Sequence, residues 1–404
     1  MVKILFIVRS YSCGGAQPLR FRNIVNHLAK NHQIHILEFG RGSAEVNVSE
    51  NVTLFKRKYS KLGKLFNGVS NIGVETTKAN SSRSSTFLLI IFRFFRSLFF
   101  PDPFIIEYYN LKKNLECLIE VNSYDCIVGS GFPHTVLMMS SVANKKNVPF
   151  IYDIGDPFYG NAKNSWIRNI FAKKFENFYL QKIKYLIVTN SLTKEFYYNN
   201  FPFLKNRVKV VEQGIIVPDI QSKSNRNSIE HKSSFNLLYA GQFYSKLREP
   251  FNLYHALSEL NTGLIKYHLS IYGNISELFK DRANKFISYF GYANNDFIWN
   301  QIHLSDAIVF IDNAYGMQTP GKVFEVIASQ KPVLFIYSTT KSPAYKIARE
   351  YPNIFFALNN KGSIMNVIKE LFGNSKHSYS NDVECFSWSN RAADFEKVIF
   401  EAIR

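Results

Sequence analysis

Short apolar runs alternate with stretches of helical periodicity, twice over along the chain, and this alternation most constrains its fold. In the first half the runs fall at Ile4–Val8, Ile34–Phe39, Cys126–Ser130, Phe150–Asp153, Tyr185–Thr189 and Val208–Val211. Between the first two, Phe21, Ile24, Val25 and Leu28 recur at helical spacing and share one face. Strands separated by helices pair in parallel, which predicts an α/β sheet. Residues 219–234 are almost all polar and interrupt the pattern, as an interdomain linker does. The alternation then restarts at Phe235–Ala240, Tyr267–Tyr272, Ile287–Phe290, Ala307–Ile311, Val333–Ile336 and Ile354–Phe356. At 404 residues the chain is too long for one ordinary core. The expectation is a doubly wound parallel-sheet domain over 1–218, a second over 235–385, and an amphipathic closing helix over 386–404.

A hydrophobic content of 46% marks a globular chain. Cys13, Cys117, Cys126 and Cys385 show no paired spacing, which argues against a disulfide framework or a metal knuckle and suits a reducing cytosol. The opening run to Val8, with Arg9 directly behind it, reads as a buried strand rather than a signal peptide. A formal net charge of +18 points to an anionic partner. With no helix-turn-helix and no aromatic RNA-binding motif, nucleic acid is disfavoured. A diphosphate-bearing substrate or an anionic membrane surface explains the surplus at least as well.

The stretch most informative about function is Gln318–Leu334. Thr319 is placed to cap a helix and Pro320 to sit in its first turn, where a missing N–H costs nothing. Gly321 leaves room for a ligand against the backbone. Lys322 sets a cation beside the free N–H groups, an arrangement suited to phosphate. Glu325 follows one turn later, and the helix is expected to end before Pro332. An ordinary amphipathic helix with a surface lysine and glutamate is the plainer alternative.

The spacing of Lys322, Glu325, Ala328 and Lys331-Pro332-Val333 resembles the donor segment of GT-B glycosyltransferases of the family 4 type, where the glutamate holds the ribose of a nucleotide sugar. Three other segments resemble the same family: Gly241 with Arg248 and Pro250 behind it, Ser270–Gly273, and Gly291 ahead of Asp306. The glycines fall at the C-terminal ends of expected strands, where open α/β sheets bind ligands. The resemblance implies a donor site of Gly241, Arg248, Gly273, Gly291, Pro320, Gly321, Lys322 and Glu325. Basic side chains would meet the diphosphate there, with no metal ion or other cofactor. Taken singly, each glycine is equally a turn former. Two positions depart from the pattern. Met317 stands where an earlier glutamate helps hold the transferred sugar, and Gln242 where arginine is common.

In the first half, Gly14 and Gly15 resemble the family's Gly-Gly loop at the floor of the cleft. They are no dinucleotide fingerprint, because the third glycine is missing. Ser130–His134 and Tyr152–Phe158 resemble a motif pair of a bacterial subgroup that builds surface polysaccharides. The resemblance implies acceptor contacts at Gly14, Gly15 and Asp153, and catalytic groups at Asp156 and His134. A carboxylate at a strand end is otherwise a turn former or helix cap. Family 4 implies retention of anomeric configuration: the leaving phosphate takes the acceptor proton while Arg248 and Lys322 stabilise the departing diphosphate. In an inverting enzyme Asp156 would be the base. The closing segment, introduced by Ser387-Trp388, resembles the helix that crosses back onto the N-terminal domain in GT-B enzymes.

Residues 87–100 are rich in Phe, Leu and Ile, with Arg93 and Arg96 among them. The run is too short to span a bilayer and suits an interfacial helix, with a buried core helix as the alternative. The combined expectation is a GT-B glycosyltransferase, its two Rossmann-like domains facing a cleft. It would lie peripherally on the cytoplasmic face of the membrane. There it would pass a sugar from a nucleotide sugar to a growing lipid-linked glycan of an envelope polysaccharide such as O-antigen, capsule or exopolysaccharide. Two alternatives stay open. One is a GT-B nucleotide-sugar epimerase. The other is a non-catalytic basic adaptor or nucleic-acid-binding protein on a degenerate GT-B scaffold, which the missing first glutamate would suit.

Overall fold

The computed structural model describes residues 1–13, 15–40, 49–61, 63, 99–161, 164–216, 233–280, 285–373, 379 and 382–404. They form two compact units, Met1–Glu212 with Trp388–Arg404, and Gln213–Ser387. Gly14, residues 87–98 of the expected interfacial segment and residues 219–232 of the expected linker lie outside the described residues.

Among the described residues the first unit holds seven strands: β1 (Lys3–Val8), β2 (Gln33–Phe39), β3 (Val52–Arg57), β4 (Cys126–Ser130), β5 (Phe150–Asp153), β6 (Tyr185–Val188) and β7 (Val208–Val210). Their order is β3-β2-β1-β4-β5-β6-β7, and every pairing is parallel, with Ile4 opposite both Ile34 and Cys126. The central strands are covered on both faces, which is why they read as unbroken apolar runs rather than alternating ones. In β1 the period of two divides the side chains. Leu5 and Ile7 join a core with Leu111, Leu115 and Phe150, while Ile4, Phe6 and Val8 join another with Phe21, Ile24 and Phe395. Strand β3 was not foreseen. It lies at the sheet edge, only Val52 is buried, and Thr53, Lys56 and Arg57 face water, so no apolar run marks it.

The helix Trp388–Ile403 packs on the helix Ala16–Leu28 within this unit and buries Trp388, Phe395, Ile399 and Ala402. Phe395 lies 6.3 Å from the Phe6 ring. A hydrogen bond between His32 Nε2 and Glu396 Oε1 at 2.5 Å and an ion pair of Arg391 with Glu212 at 2.7 Å further tie the closing helix to this unit.

Among the described residues the second unit has six strands: β8 (Ser234–Ala240), β9 (Lys266–Tyr272), β10 (Ile287–Gly291), β11 (Ala307–Ile311), β12 (Val333–Tyr337) and β13 (Ile354–Leu358). The order is β10-β9-β8-β11-β12-β13, again all parallel. In each unit the chain begins at a central strand, winds outward to one edge, then returns to continue on the other side. The order therefore reverses between β1 and β4 and between β8 and β11. At such switch points the loops part and leave a crevice beyond the C-terminal strand ends. Among the described residues no helix is long and apolar enough to cross a membrane.

Candidate functional site

In the second unit the β8/β11 switch point opens a pocket lined by Tyr239, Ala240, Arg248, Lys322 and Glu325, with apolar walls from Ile298 and Phe310. Arg248 is held by a tight turn in which the Tyr244 N–H donates to its carbonyl (3.0 Å) and its own N–H donates to that of Tyr244 (2.8 Å). Nη2 of Arg248 donates to Asn313 Oδ1 at 2.7 Å. Its Nε is buried and has no hydrogen-bond partner. A second layer fixes this arrangement from behind. Asp312 Oδ1 accepts from the Asn313 N–H at 2.7 Å, and its other oxygen accepts from Ser342 Oγ. Burial raises the Asp312 carboxyl to about 6, against the Ser342 and Asn313 hydrogen bonds and the Arg248 charge that hold it down. Asp312, Asn313 and Ser342 were not foreseen. The one hint was a polar pair placed directly after the apolar β11 run.

Across the pocket, Lys322 Nζ meets Glu325 Oε2 at 2.5 Å, both side chains partly exposed. The helix carrying them, Lys322–Ala328, starts later than expected. The Val323 and Phe324 N–H groups bond back to the Pro320 and Gly321 carbonyls at 3.0 and 3.3 Å, so Pro320 and Gly321 form a turn ahead of the helix. Gly321 stands at the N-cap position without a side-chain cap, and the Thr319 hydroxyl is buried with no partner. The capping role expected of Thr319 is corrected accordingly: the intervening turn carries it out of reach of the helix N–H groups.

Gly241, Gly273 and Gly291 end three adjacent strands and are tied together. The Gly241 N–H donates to Tyr272 O at 2.9 Å, and the Gly273 N–H to Gly291 O at 2.8 Å. A Cβ on Gly273 would fall 2.0 Å from the Gly241 carbonyl oxygen, and its φ is +150°. Backbone packing at the strand ends therefore demands glycine there, whatever binds beyond it.

In the first unit the loops after β1 and β4 meet at the other switch point. Gly15 (φ +122°) precedes the helix Ala16–Leu28. Buried Glu38, near the end of β2, ties down this loop by accepting from the Ser12 N–H (2.9 Å) and Oγ (2.7 Å). Arg20 sits on the buried face of the helix. It grips Asp153 with two bonds, Nε to Oδ2 at 2.9 Å and Nη2 to Oδ1 at 3.1 Å, and also donates to the Val211 and Glu212 carbonyls. Asp153 is thus buried with both oxygens engaged, and an acceptor hydroxyl would have to compete with Arg20. Asp156, three residues on, is exposed.

His134 follows β4 and stacks on Phe158, ring centroids 4.2 Å apart. Burial, with the Arg168 charge, lowers its pKa to about 3. The ring is therefore neutral at physiological pH, half-buried beside Phe158 and able to hydrogen bond. Its turn is fixed by Asp102, which accepts from Thr135 N (3.0 Å), Thr135 Oγ1 (2.8 Å) and Phe104 N (2.9 Å). The Asp156 loop is anchored by Glu176, whose carboxyl accepts from the Tyr159 N–H (3.0 Å) and the Tyr197 hydroxyl (2.7 Å). Arg20, Glu38, Asp102 and Glu176 were all missed from sequence. Only Arg20 left a signal, a charge inside the apolar stripe of Phe21, Ile24 and Leu28.

No protein-family model and no curated protein matches the sequence. Solved structures do match along the whole chain. A glycosyltransferase from Rickettsia africae ESF-5 aligns with a TM-score of 0.64 at 16% identity, over 100% of this chain and 99% of that one. HepE of Anabaena, solved with UDP and glucose, gives 0.61 at 11% identity, over 99% and 100%. WaaG, a glycosyltransferase involved in lipopolysaccharide biosynthesis, gives 0.58 at 14%, over 99% and 98%. A UDP-GlcNAc 2-epimerase from Methanocaldococcus jannaschii also aligns, at 0.52 and 14%, over 99% of each. At such identities the likeness establishes architecture: the chain has the GT-B fold, two Rossmann-like α/β domains built on parallel sheets.

Proposed function

We propose that the protein is a glycosyltransferase whose second unit binds a nucleotide-sugar donor. The observation that carries this reading is the convergence of Arg248, Lys322 and Glu325 on one pocket at the β8/β11 switch point. Arg248 and Lys322 meet the diphosphate, so the charge is neutralised by side chains without a metal ion. The unpartnered Nε of Arg248 gains an acceptor in the process. Lys322 and Glu325 bind each other at 2.5 Å; a diphosphate that draws the lysine away releases the carboxylate to the ribose hydroxyls. The same two cations stabilise the diphosphate as it leaves, and its oxygen takes the acceptor proton, so the sugar retains its configuration. Exposed Asp156 and the loops holding Gly14, Gly15 and His134 receive the acceptor, with Asp153 fixing the strand end beneath them.

The acceptor in this reading is a growing lipid-linked glycan of an envelope polysaccharide, met at the inner face of the cytoplasmic membrane. The net charge of +18, the surface-polysaccharide motif pair and the likeness to WaaG support it. Calorimetry with a panel of UDP and GDP sugars tests the donor half, with slow release of free nucleotide expected from the sugar that binds. No binding across the panel would sink the proposal. The second reading, favoured by the epimerase alignment, is separated in the same tubes: an epimerase turns UDP-GlcNAc into its C2 epimer, again a nucleotide sugar, with no acceptor present and no net release of UDP.

A further inference from the structure

The helix Trp166–Leu180 of the first unit buries Ala172, Phe175, Glu176 and Leu180. Its other side should then be polar, and it is not. Trp166, Ile167, Ile170, Phe171 and Phe178 lie between 47% and 74% exposed. Residues 167, 170, 171, 174 and 178 follow helical spacing, so four of these side chains share one outward stripe with Lys174 in its middle. A helix apolar on both sides is normally enclosed. Large apolar side chains exposed together on one helix, unlike single ones scattered over a surface, mark a contact face.

Charge identifies what covers it. Glu176 is the only acid of the helix and is buried, so its exposed ionic groups are Lys173 and Lys174, both cationic, while half-buried Arg168 donates to the Pro101 carbonyl. Lys182 follows directly, its Nζ 3.6 Å above the Phe178 ring. A second copy of the same face would bring these cations against one another. A bilayer with anionic headgroups answers both features, taking the apolar stripe into the headgroup region while its phosphates meet the lysines. The face also borders the acceptor loops: Arg168 lies over the Phe158 ring at 5.7 Å, and Phe158 carries His134.

We infer that the exposed face of the Trp166–Leu180 helix docks the first unit on an anionic lipid bilayer. This deepens the membrane part of the proposed function; the docking itself needs no nucleotide sugar. The test floats the full-length protein with vesicles of phosphatidylcholine alone or of equal parts phosphatidylcholine and phosphatidylglycerol. Wild type floats with the anionic vesicles at low salt and is released as salt rises. Ile167→Ser with Phe171→Ser, and separately Lys173→Glu with Lys174→Glu, each lower the partition coefficient on the order of tenfold or more, with unchanged melting. Tryptophan emission shifts to the blue on adding anionic vesicles, and Trp166→Phe removes the shift. Wild type left in the soluble fraction, or both double variants floating as well as wild type, overturns the inference. So does concentration-dependent dimerisation without lipid that the same variants abolish. A protein that floats as expected yet binds no nucleotide sugar refutes the proposed reaction and leaves the docking face standing.

Discussion

Glu176 is a carboxyl enclosed in the first unit, and its titration is predicted to set how stability depends on pH. Burial raises its pKa from 4.5 to about 7, while hydrogen bonds from Tyr197 and the Phe158 and Tyr159 backbone pull it partly back. Because the folded pKa is the higher one, the folded state holds this proton where the unfolded chain has lost it. The resulting stabilisation is complete below about 4.5 and disappears as pH rises through about 7. Its size is on the order of 3 kcal/mol. Glu176→Gln keeps an acceptor for the Tyr159 N–H and cannot titrate. The variant's stability relative to wild type should therefore grow by that amount between pH 4.5 and 8. Urea unfolding at a series of pH values reads this from Trp166 and Trp388 in a Trp299→Phe background, both reporters lying in the first unit. Taking the difference between the two proteins cancels Asp102 and Glu212, which burial shifts in the same direction. A gap constant across this range would show that Glu176 does not titrate there. The Asp156 loop would then rest on a permanently charged anchor.

Arg248→Ala and Lys322→Ala should each weaken UDP or GDP binding about tenfold to a hundredfold, since a charge-assisted hydrogen bond contributes about 1.5–3 kcal/mol; calorimetry showing neither effect removes the donor site. Glu325→Gln should lose nucleotide affinity with no matching loss of melting temperature, whereas a parallel fall in both would make Glu325 structural. Asp153→Asn should destabilise the first unit by up to about 3–5 kcal/mol, because it strips a buried arginine of its carboxylate. The loss should sit toward the low end, as Arg20 keeps the Val211 and Glu212 carbonyls. A variant as stable as wild type in chemical denaturation would contradict the buried pair.

The sheet strands were legible because burial on both faces writes them as unbroken apolar runs; Cys126–Ser130 and Ala307–Ile311 match to the residue. Strand β3 was hidden for the opposite reason, since an edge strand facing water carries no such run. In the second unit, Lys322 and Glu325 are close in sequence, and local spacing suffices to see that they meet. Arg248 reaches the same pocket from 74 residues away, and only the resemblance to a known motif linked it to them. The supporting layers were invisible. Asp312 with Ser342, Arg20 with Asp153 and Glu176 with Tyr197 join residues whose separation along the chain obeys no period. Asp153 shows the limit most clearly, for the sequence displays two aspartates three residues apart, and only the fold makes one buried and gripped and the other exposed.

The closing helix gives the chain an unusual order of completion. The second unit occupies residues 213–387 and is entered and left at neighbouring points, where Ile215 bridges Ser387. It is an insertion within the first unit, whose face of Ile4, Phe6 and Val8 is covered in part by residues 388–403. On the ribosome the earlier-made unit must wait, with part of its sheet bare, until the later one has been synthesised whole. The usual first-made, first-folded sequence of multidomain chains is reversed here. A premature stop near residue 387 would spare the second unit and expose the first, so damage at one end of the message would appear as misfolding encoded at the other.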